Sequence, residues 1–315
     1  MFASNISWRK HTGTAVTEHS CIPNCSFTTH SNTLYMTAIR DISEGDRISI
    51  DYGNNFYHPT ADRVESLCES YRFICKCPEC LGPDRKRSFV CGKCNIGTVC
   101  PVGTGLTPDS DVSFSPCQSC GNAPEISYRQ LCLSKEMQYK TDPPVTAAQI
   151  DHVSSVEKVL HESHYLIFWA RDDNAMLLAS KARREGAFTG ATGKAAKASV
   201  VQSRQSYNDA VTAMEETVRL LEIMLPPVHH EKIVYYDRLG QLAVAAGNYS
   251  VADANFRKSY EMSCLACGEN TPCTQVIKKL ISHPPRSLDE LIEHYRQSGQ
   301  TADVLSGDGD EIDEI

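Results

Sequence analysis

Apolar and polar residues along this 315-residue chain follow two different periods. Through 33–53, TLYMTAIRDISEGDRISIDYG, apolar residues alternate with polar ones, which predicts two strands joined by a turn around Glu44-Gly45-Asp46. In 166–188, LIFWARDDNAMLLASKARREGAF, and 209–225, DAVTAMEETVRLLEIML, they recur every three to four positions, the period of amphipathic helices. Pro226-Pro227 separates the second helix from the next. Helical composition runs from about Ala147 to Ser298.

Within it, 235–262 fits a helix-turn-helix unit of tetratricopeptide type, with Tyr236, Leu239, Gly240, Gly247, Tyr249, Ala252 and Phe256 at the matching positions. No second copy occurs at a strict 34-residue offset, so the expectation is an irregular helical array. From Cys68 to about Asn122 periodicity is weak and Cys, Gly, Pro and Ser abound, as where metal replaces an apolar core. The end, ADVLSGDGDEIDEI, is acidic and reads as a disordered tail. These periods together predict an α+β chain with a β-rich start, a cysteine-rich middle and an all-α remainder.

Composition narrows the function classes. A formal net charge of −8 argues against binding the phosphate backbone of nucleic acid, and Arg85-Lys86-Arg87 is the one tight basic run near the cysteines. No stretch approaches the roughly 18 consecutive apolar residues of a membrane span. The first residues, MFASNISWRKHTGT, lack the apolar core of a secretory signal, so an intracellular protein is expected, in nucleus or cytoplasm. The 15 cysteines are clustered at C-x-C and C-x2-C spacings, which in a reducing compartment points to zinc ligands rather than disulfides.

Cys75, Cys77 and Cys80 supply three thiolates, and a tetrahedral structural zinc site needs a fourth ligand. Cys21, in HSCIPNC, is the candidate; spacing alone leaves Cys68 or Cys25 as the alternative. A second set, Cys91-x2-Cys94 and Cys117-x2-Cys120-Gly121, has the two-knuckle spacing of a zinc ribbon, with Cys100 between as a spectator. Cys264, Cys267 and Cys273 read as packed core.

EHSCIPNC (18–25), AIRDISEGDRISIDYG (38–53) and YRFICKCPEC (71–80), in that order, resemble the C-terminal half of a SET domain with its post-SET zinc module, over about the first eighty residues. The helical region beyond is similar, more loosely, to that of the SET-and-MYND lysine methyltransferases, although the MYND finger is not in the chain. The resemblance implies a partial β-rich SET fold over 1–57, a post-SET module over 58–82, a zinc-ribbon-like segment over 83–125 and a helical, tetratricopeptide-like domain over 126–298 before the 299–315 tail.

It also implies an S-adenosylmethionine-dependent protein-lysine N-methyltransferase acting on a histone or another lysine-bearing protein, with two structural zinc ions and further protein partners on the helical domain. Cys21 becomes the fourth ligand with Cys75, Cys77 and Cys80. Tyr52 and Tyr71 become the catalytic aromatics of the lysine channel, and Glu18, His19, Tyr52 and Phe73 the residues facing the methyl donor. Outside that context Tyr52, Tyr71 and Phe73 read as half-buried or core aromatics, and His19 as a surface residue of a polar loop.

Two positions depart from the family pattern. Glu18 stands where the family has asparagine, and no Gly-x-Gly run precedes the loop: Gly103-Thr104-Gly105 and Gly307-Asp308-Gly309 lie downstream. The expectation is a fragment, or a degenerate chain that binds the donor weakly or not at all. The alternative function is an inactive, zinc-stabilised adaptor that recruits partners through its helices.

Overall fold

The computed structural model describes residues 6–9, 17–30, 33–52, 57–103, 112–187 and 194–298. The predicted acidic tail lies outside the described residues. Strands β1 (Ile6–Arg9), β2 (Glu18–His19), β3 (Cys25–His30), β4 (Thr33–Ala38) and β5 (Ser49–Ile50) come first, then helices α1 (Thr60–Tyr71) and α2 (Pro78–Leu81). Strands β6 (Phe89–Val90) and β7 (Thr98–Val99) lead to α3 (Ile126–Thr141) and α4 (Ala147–Asp151), which runs into a π-helical stretch, His152–Glu157. The rest is helical: α5 (Tyr165–Ala187), α6 (Lys194–Met224), α7 (His230–Ala246), α8 (Tyr249–Ala266), α9 (Pro272–Ser282) and α10 (Leu288–Gln297). The chain is of the α+β class with an all-helical C-terminal region.

It divides into two compact units. One contains Phe27–Thr37 and the helices from Asp172 onward; the other contains Trp8–Ser26 and Ala38–Arg171. In the first, α7 and α8 form the predicted helix-turn-helix. The left-handed backbone at Gly247, φ 75°, ends α7, as a helix C-terminus favours. Gly240 brings the two helices together: a Cβ there would sit 2.5 Å from Cε1 of the buried Phe256. Tyr236, Leu239 and Ala252 are buried around this contact. Of the three cysteines expected in this core, Cys267 is buried and Cys264 and Cys273 are half-buried.

The two strands expected in 33–53 are present, with the turn at Glu44-Gly45, where Gly45 takes a φ of 91°. They do not pair with each other. β4 lies between β1 and β3, whereas β5 pairs in parallel with β2, His19 opposite Ile50. Alternation reports that one face of a strand is buried, not which strand lies beside it.

The second unit corrects the expectation that metal replaces an apolar core through the cysteine-rich region. Phe89 and Val99 are fully buried and pack with Phe114, with Leu133 and Tyr139 of α3, and with Ile150, Leu160 and Ile167. At about 1.5–3 kcal/mol for each fully buried large apolar side chain, this core stabilises the region alongside any metal. Buried Glu136 anchors α3 through a two-pronged pair with Arg87, Nε 2.8 Å and Nη2 2.6 Å away. Lys86 pairs with Glu79. Two members of the basic run are therefore held by carboxylates and do not present a basic face.

Candidate active site and metal centres

The loop after β2 is fixed by Asn24. Its Nδ2 donates to the Arg47 carbonyl at 2.8 Å, and its Oδ1 accepts from the Ser49 backbone N–H at 2.8 Å, which fastens the turn to β5. The Arg40 guanidinium caps the Ile22 and Pro23 carbonyls. Held in this way, the turn projects Cys21 toward the cysteines beyond α1.

That helix stops because Arg72 enters the left-handed region, φ 61°, with its N–H on the Cys68 carbonyl. The chain turns back at once and delivers Cys75, Cys77 and Cys80, with Pro78 opening the short helix that carries Cys80. The sulfurs of Cys21, Cys75, Cys77 and Cys80 all lie within 4.8 Å of one another, with Cys21 4.0 Å from Cys75 and 3.5 Å from Cys80. Four sulfurs about 2.3 Å from a tetrahedral zinc would be about 3.8 Å apart, so the cage has the right size. Cys25 is buried and Cys68 is exposed on α1, and neither joins this group.

Hydrogen bonds from Cys21 and Cys80 push Cys77 well below the ordinary thiol value, while the bond to Cys77 raises Cys21. Sequence reasoning missed Arg63. Its buried guanidinium donates from Nη2 toward Cys80 Sγ at 3.9 Å and to the Thr60 hydroxyl at 3.1 Å, placing a fixed positive charge beside the thiolates. The lone arginine in TADRVE gave no signal, since its sulfur partners lie far away in sequence.

Cys91, Cys94, Cys117 and Cys120 form a second four-sulfur group, with 3.8 Å between Cys91 and Cys120 and 3.7 Å between Cys94 and Cys117. Backbone N–H groups of Gly97 and Ser119 donate to Cys94 and Cys117, each at 3.4 Å. Donation from Gly97, with that from Ile96, lowers the Cys94 thiol to about 6. A side chain at Gly97 would put its Cβ 2.5 Å from Cys117 Sγ, so the knuckle needs glycine. Cys100 lies outside the group, faces the Ser88 hydroxyl at 3.7 Å and is pushed by burial to about 11, which keeps it a neutral thiol.

Beside the first group stands an aromatic cluster. The Tyr52 ring is 5.0 Å from that of Tyr71, 5.4 Å from His19 and 6.4 Å, edge-on, from Phe73, which is 5.7 Å from His19. The Tyr52 hydroxyl donates to the Thr17 carbonyl, and the Tyr71 hydroxyl donates to the Tyr52 carbonyl at 3.1 Å. Tyr71 is 50% exposed, at the open side of the cluster. The structure thus brings together four of the five predicted catalytic and donor-facing residues.

Glu18 is the exception. It is exposed and paired with Arg47 at 2.6 Å. His19 is not the surface residue its polar loop suggests. Its side chain is 3% exposed, burial lowers its pKa, and its ring lies between Cys21 and Tyr52.

The family model for the SET domain matches residues 2–53. The chain is 39% identical over 77 residues to N-lysine methyltransferase SMYD2-B of Danio rerio, covering 24% of this chain and 18% of that protein. It is 34% identical over 76 residues to N-lysine methyltransferase SMYD2 of Homo sapiens, covering 24% and 17%. It is 42% identical over 67 residues to protein-lysine N-trimethyltransferase SMYD5 of Gallus gallus, covering 20% and 16%. The matches span less than a fifth of each of these relatives. Residues 2–53 thus match the SET domain, and the surrounding segment is similar to part of the SMYD-type lysine methyltransferases.

Proposed function

We propose that this chain is a protein-lysine N-methyltransferase that uses S-adenosylmethionine and holds two structural zinc ions, one in each four-cysteine group. The observation that carries the reading is the packing of Tyr52, Tyr71, Phe73 and His19 into one aromatic cluster next to the cage of Cys21, Cys75, Cys77 and Cys80. Aromatic faces attract an organic cation, so the cluster suits a sulfonium ligand. The donor supplies an electrophilic methyl group on a positively charged sulfur.

The protein's part is alignment and control of charge. Tyr71, at the exposed side, and Tyr52, deeper, pack against each other at 5.0 Å and together present one aromatic face to a lysine side chain. A lysine amine must be neutral to react, which from its ordinary pKa near 10.4 costs about 4–5 kcal/mol at neutral pH. The positive charge of the bound donor and the loss of water around the amine disfavour the ammonium form and lower that cost. Holding the amine and the methyl group in line is worth about 7–11 kcal/mol. The proton leaves to water through the open side, with no covalent intermediate on the protein.

The zinc sites serve structure, since four thiolates leave no open coordination position. A reducing, intracellular compartment suits a chain whose eight clustered cysteines act as thiolates. The substrate is a protein presenting a lysine, and histone tails, being basic, suit a chain of net charge −8.

The test is transfer of labelled methyl from S-adenosylmethionine to lysine-bearing proteins by the zinc-loaded chain. Tyr52→Phe should reduce turnover roughly 10²–10³-fold, the scale of one well-placed polar group at a reacting centre. An unchanged rate would remove Tyr52 from the chemistry.

A further inference from the structure

Tyr52 stands just beyond the end of β5, where backbone pairing has stopped. The last rung of the β2–β5 ladder is the Ser20 N–H on the Ile50 carbonyl, 3.0 Å. Past that rung Tyr52 is held by side chains. Its N–H donates to His19 Nδ1 at 3.1 Å, and its carbonyl accepts from the Tyr71 hydroxyl at 3.1 Å.

The first of these bonds fixes the histidine tautomer. A backbone N–H can only donate, so Nδ1 is the acceptor and the ring hydrogen of the neutral imidazole is on Nε2. Nε2 lies 3.3 Å from Cys21 Sγ, so it donates to that sulfur. One buried ring is therefore hydrogen-bonded on one side to a sulfur of the four-cysteine group and on the other to the peptide of the tyrosine that ends the strand.

We infer that His19 is a positioning residue that ties the metal cage to Tyr52. One ring serves both ends: its Nε2 side orders Cys21 within the cage, and its Nδ1 side orders the main chain of Tyr52. The catalytic consequence of this link rests on the methyltransferase reading above; the link itself does not. It also explains why a histidine two positions before a metal ligand is buried rather than solvated. Metal ligands are oriented by hydrogen bonds from neighbours, and here the same neighbour also holds the aromatic cluster through Tyr52.

The two halves of the bridge can be cut separately in the full chain loaded with cobalt(II). His19→Asn keeps an acceptor near the Nδ1 position and loses the donor to sulfur. His19→Gln places its amide near the Nε2 position and loses the acceptor for Tyr52, and His19→Phe loses both. The readouts are the thiolate-to-cobalt charge-transfer bands and hydrogen exchange of the Tyr52 amide in tyrosine-labelled protein. The Cys91 group adds the same background to every sample.

Expected are shifted bands and a roughly 10–100-fold loss of metal affinity at the Cys21 cage in the Asn and Phe variants. Tyr52 exchange should speed up about tenfold in the Gln and Phe variants, as for one lost hydrogen bond, and stay near wild type in Asn. If Asn and Gln move both readouts together, or neither moves them, the ring only fills space and the inference fails; the pair decides the matter even where Phe does not fold. A wild-type chain that shows the split but transfers no methyl group would keep the bridge and overturn the proposed function instead.

Discussion

Cys21 and Cys80 are 59 positions apart in the chain, and their sulfurs lie 3.5 Å apart. Nothing local brings them together: the turn pinned by Asn24 supplies one and the chain reversal at Arg72 the other. A bridging metal closes a long loop, and binding energies on the order of 10–16 kcal/mol for structural zinc then count toward folding.

Metal content is the direct consequence. The chain should carry two zinc ions by elemental analysis, and Cys21→Ser or Cys77→Ser should carry one. Cys25→Ser and Cys68→Ser, the alternatives that spacing left open, should still carry two. A strong chelator should cost the wild type more of its stability than it costs Cys21→Ser, which has less metal to lose.

Glu136 governs an acid-sensitive part of the stability. Although burial alone would raise its pKa, the His164 and Arg87 contacts hold it at about 2, against an ordinary 4.5. A carboxyl depressed in the folded state adds stability above the unfolded value, and loses it as pH falls from 4.5 toward 2. The amount is about 3 kcal/mol. Glu136→Gln should flatten the pH dependence of the urea midpoint across that window. At neutral pH it should cost roughly 3–5 kcal/mol, because the Arg87 guanidinium, 3% exposed, loses its two-pronged carboxylate partner.

Gly240 should tolerate no side chain. Alanine in a helix interior gains about 1 kcal/mol over glycine, but its Cβ would meet the Phe256 ring at 2.5 Å. Overpacking of about 1–3 kcal/mol outweighs the gain, so Gly240→Ala should lower Tm. Phe256→Leu should cost less in the Gly240→Ala background than alone, which a double-mutant cycle would read.

The features legible in the sequence are those in which neighbouring positions carry the information. C-x2-C knuckles and the Tyr236-to-Phe256 pattern each describe one local unit, and both appear in the structure as a cysteine group and a packed helix pair. Strand pairing was not legible, because β4 and β5 alternate alike yet join different sheets. Nor was the apolar core under the cysteines. Phe89, Val99 and Phe114 are scattered singly among turn residues, and only the chain reversal brings them against α3. Tyr52 and Tyr71 entered through a resemblance, which also chose Cys21 over Cys68 and Cys25, and the meeting of all three in one place is a fact of the structure. The part played by the His19 ring was hidden, because burial of a loop histidine depends on what folds over it.

The most direct measurement is calorimetric titration of S-adenosylmethionine into the folded, zinc-loaded chain, beside the same titration of Tyr52→Ala and Tyr71→Ala. Saturable binding at one site per chain, weakened roughly tenfold or more by loss of either aromatic face, is the predicted result. Absence of binding to a folded chain carrying two zinc ions, or binding that neither substitution alters, would contradict the assignment of the aromatic cluster as a methyl-donor site.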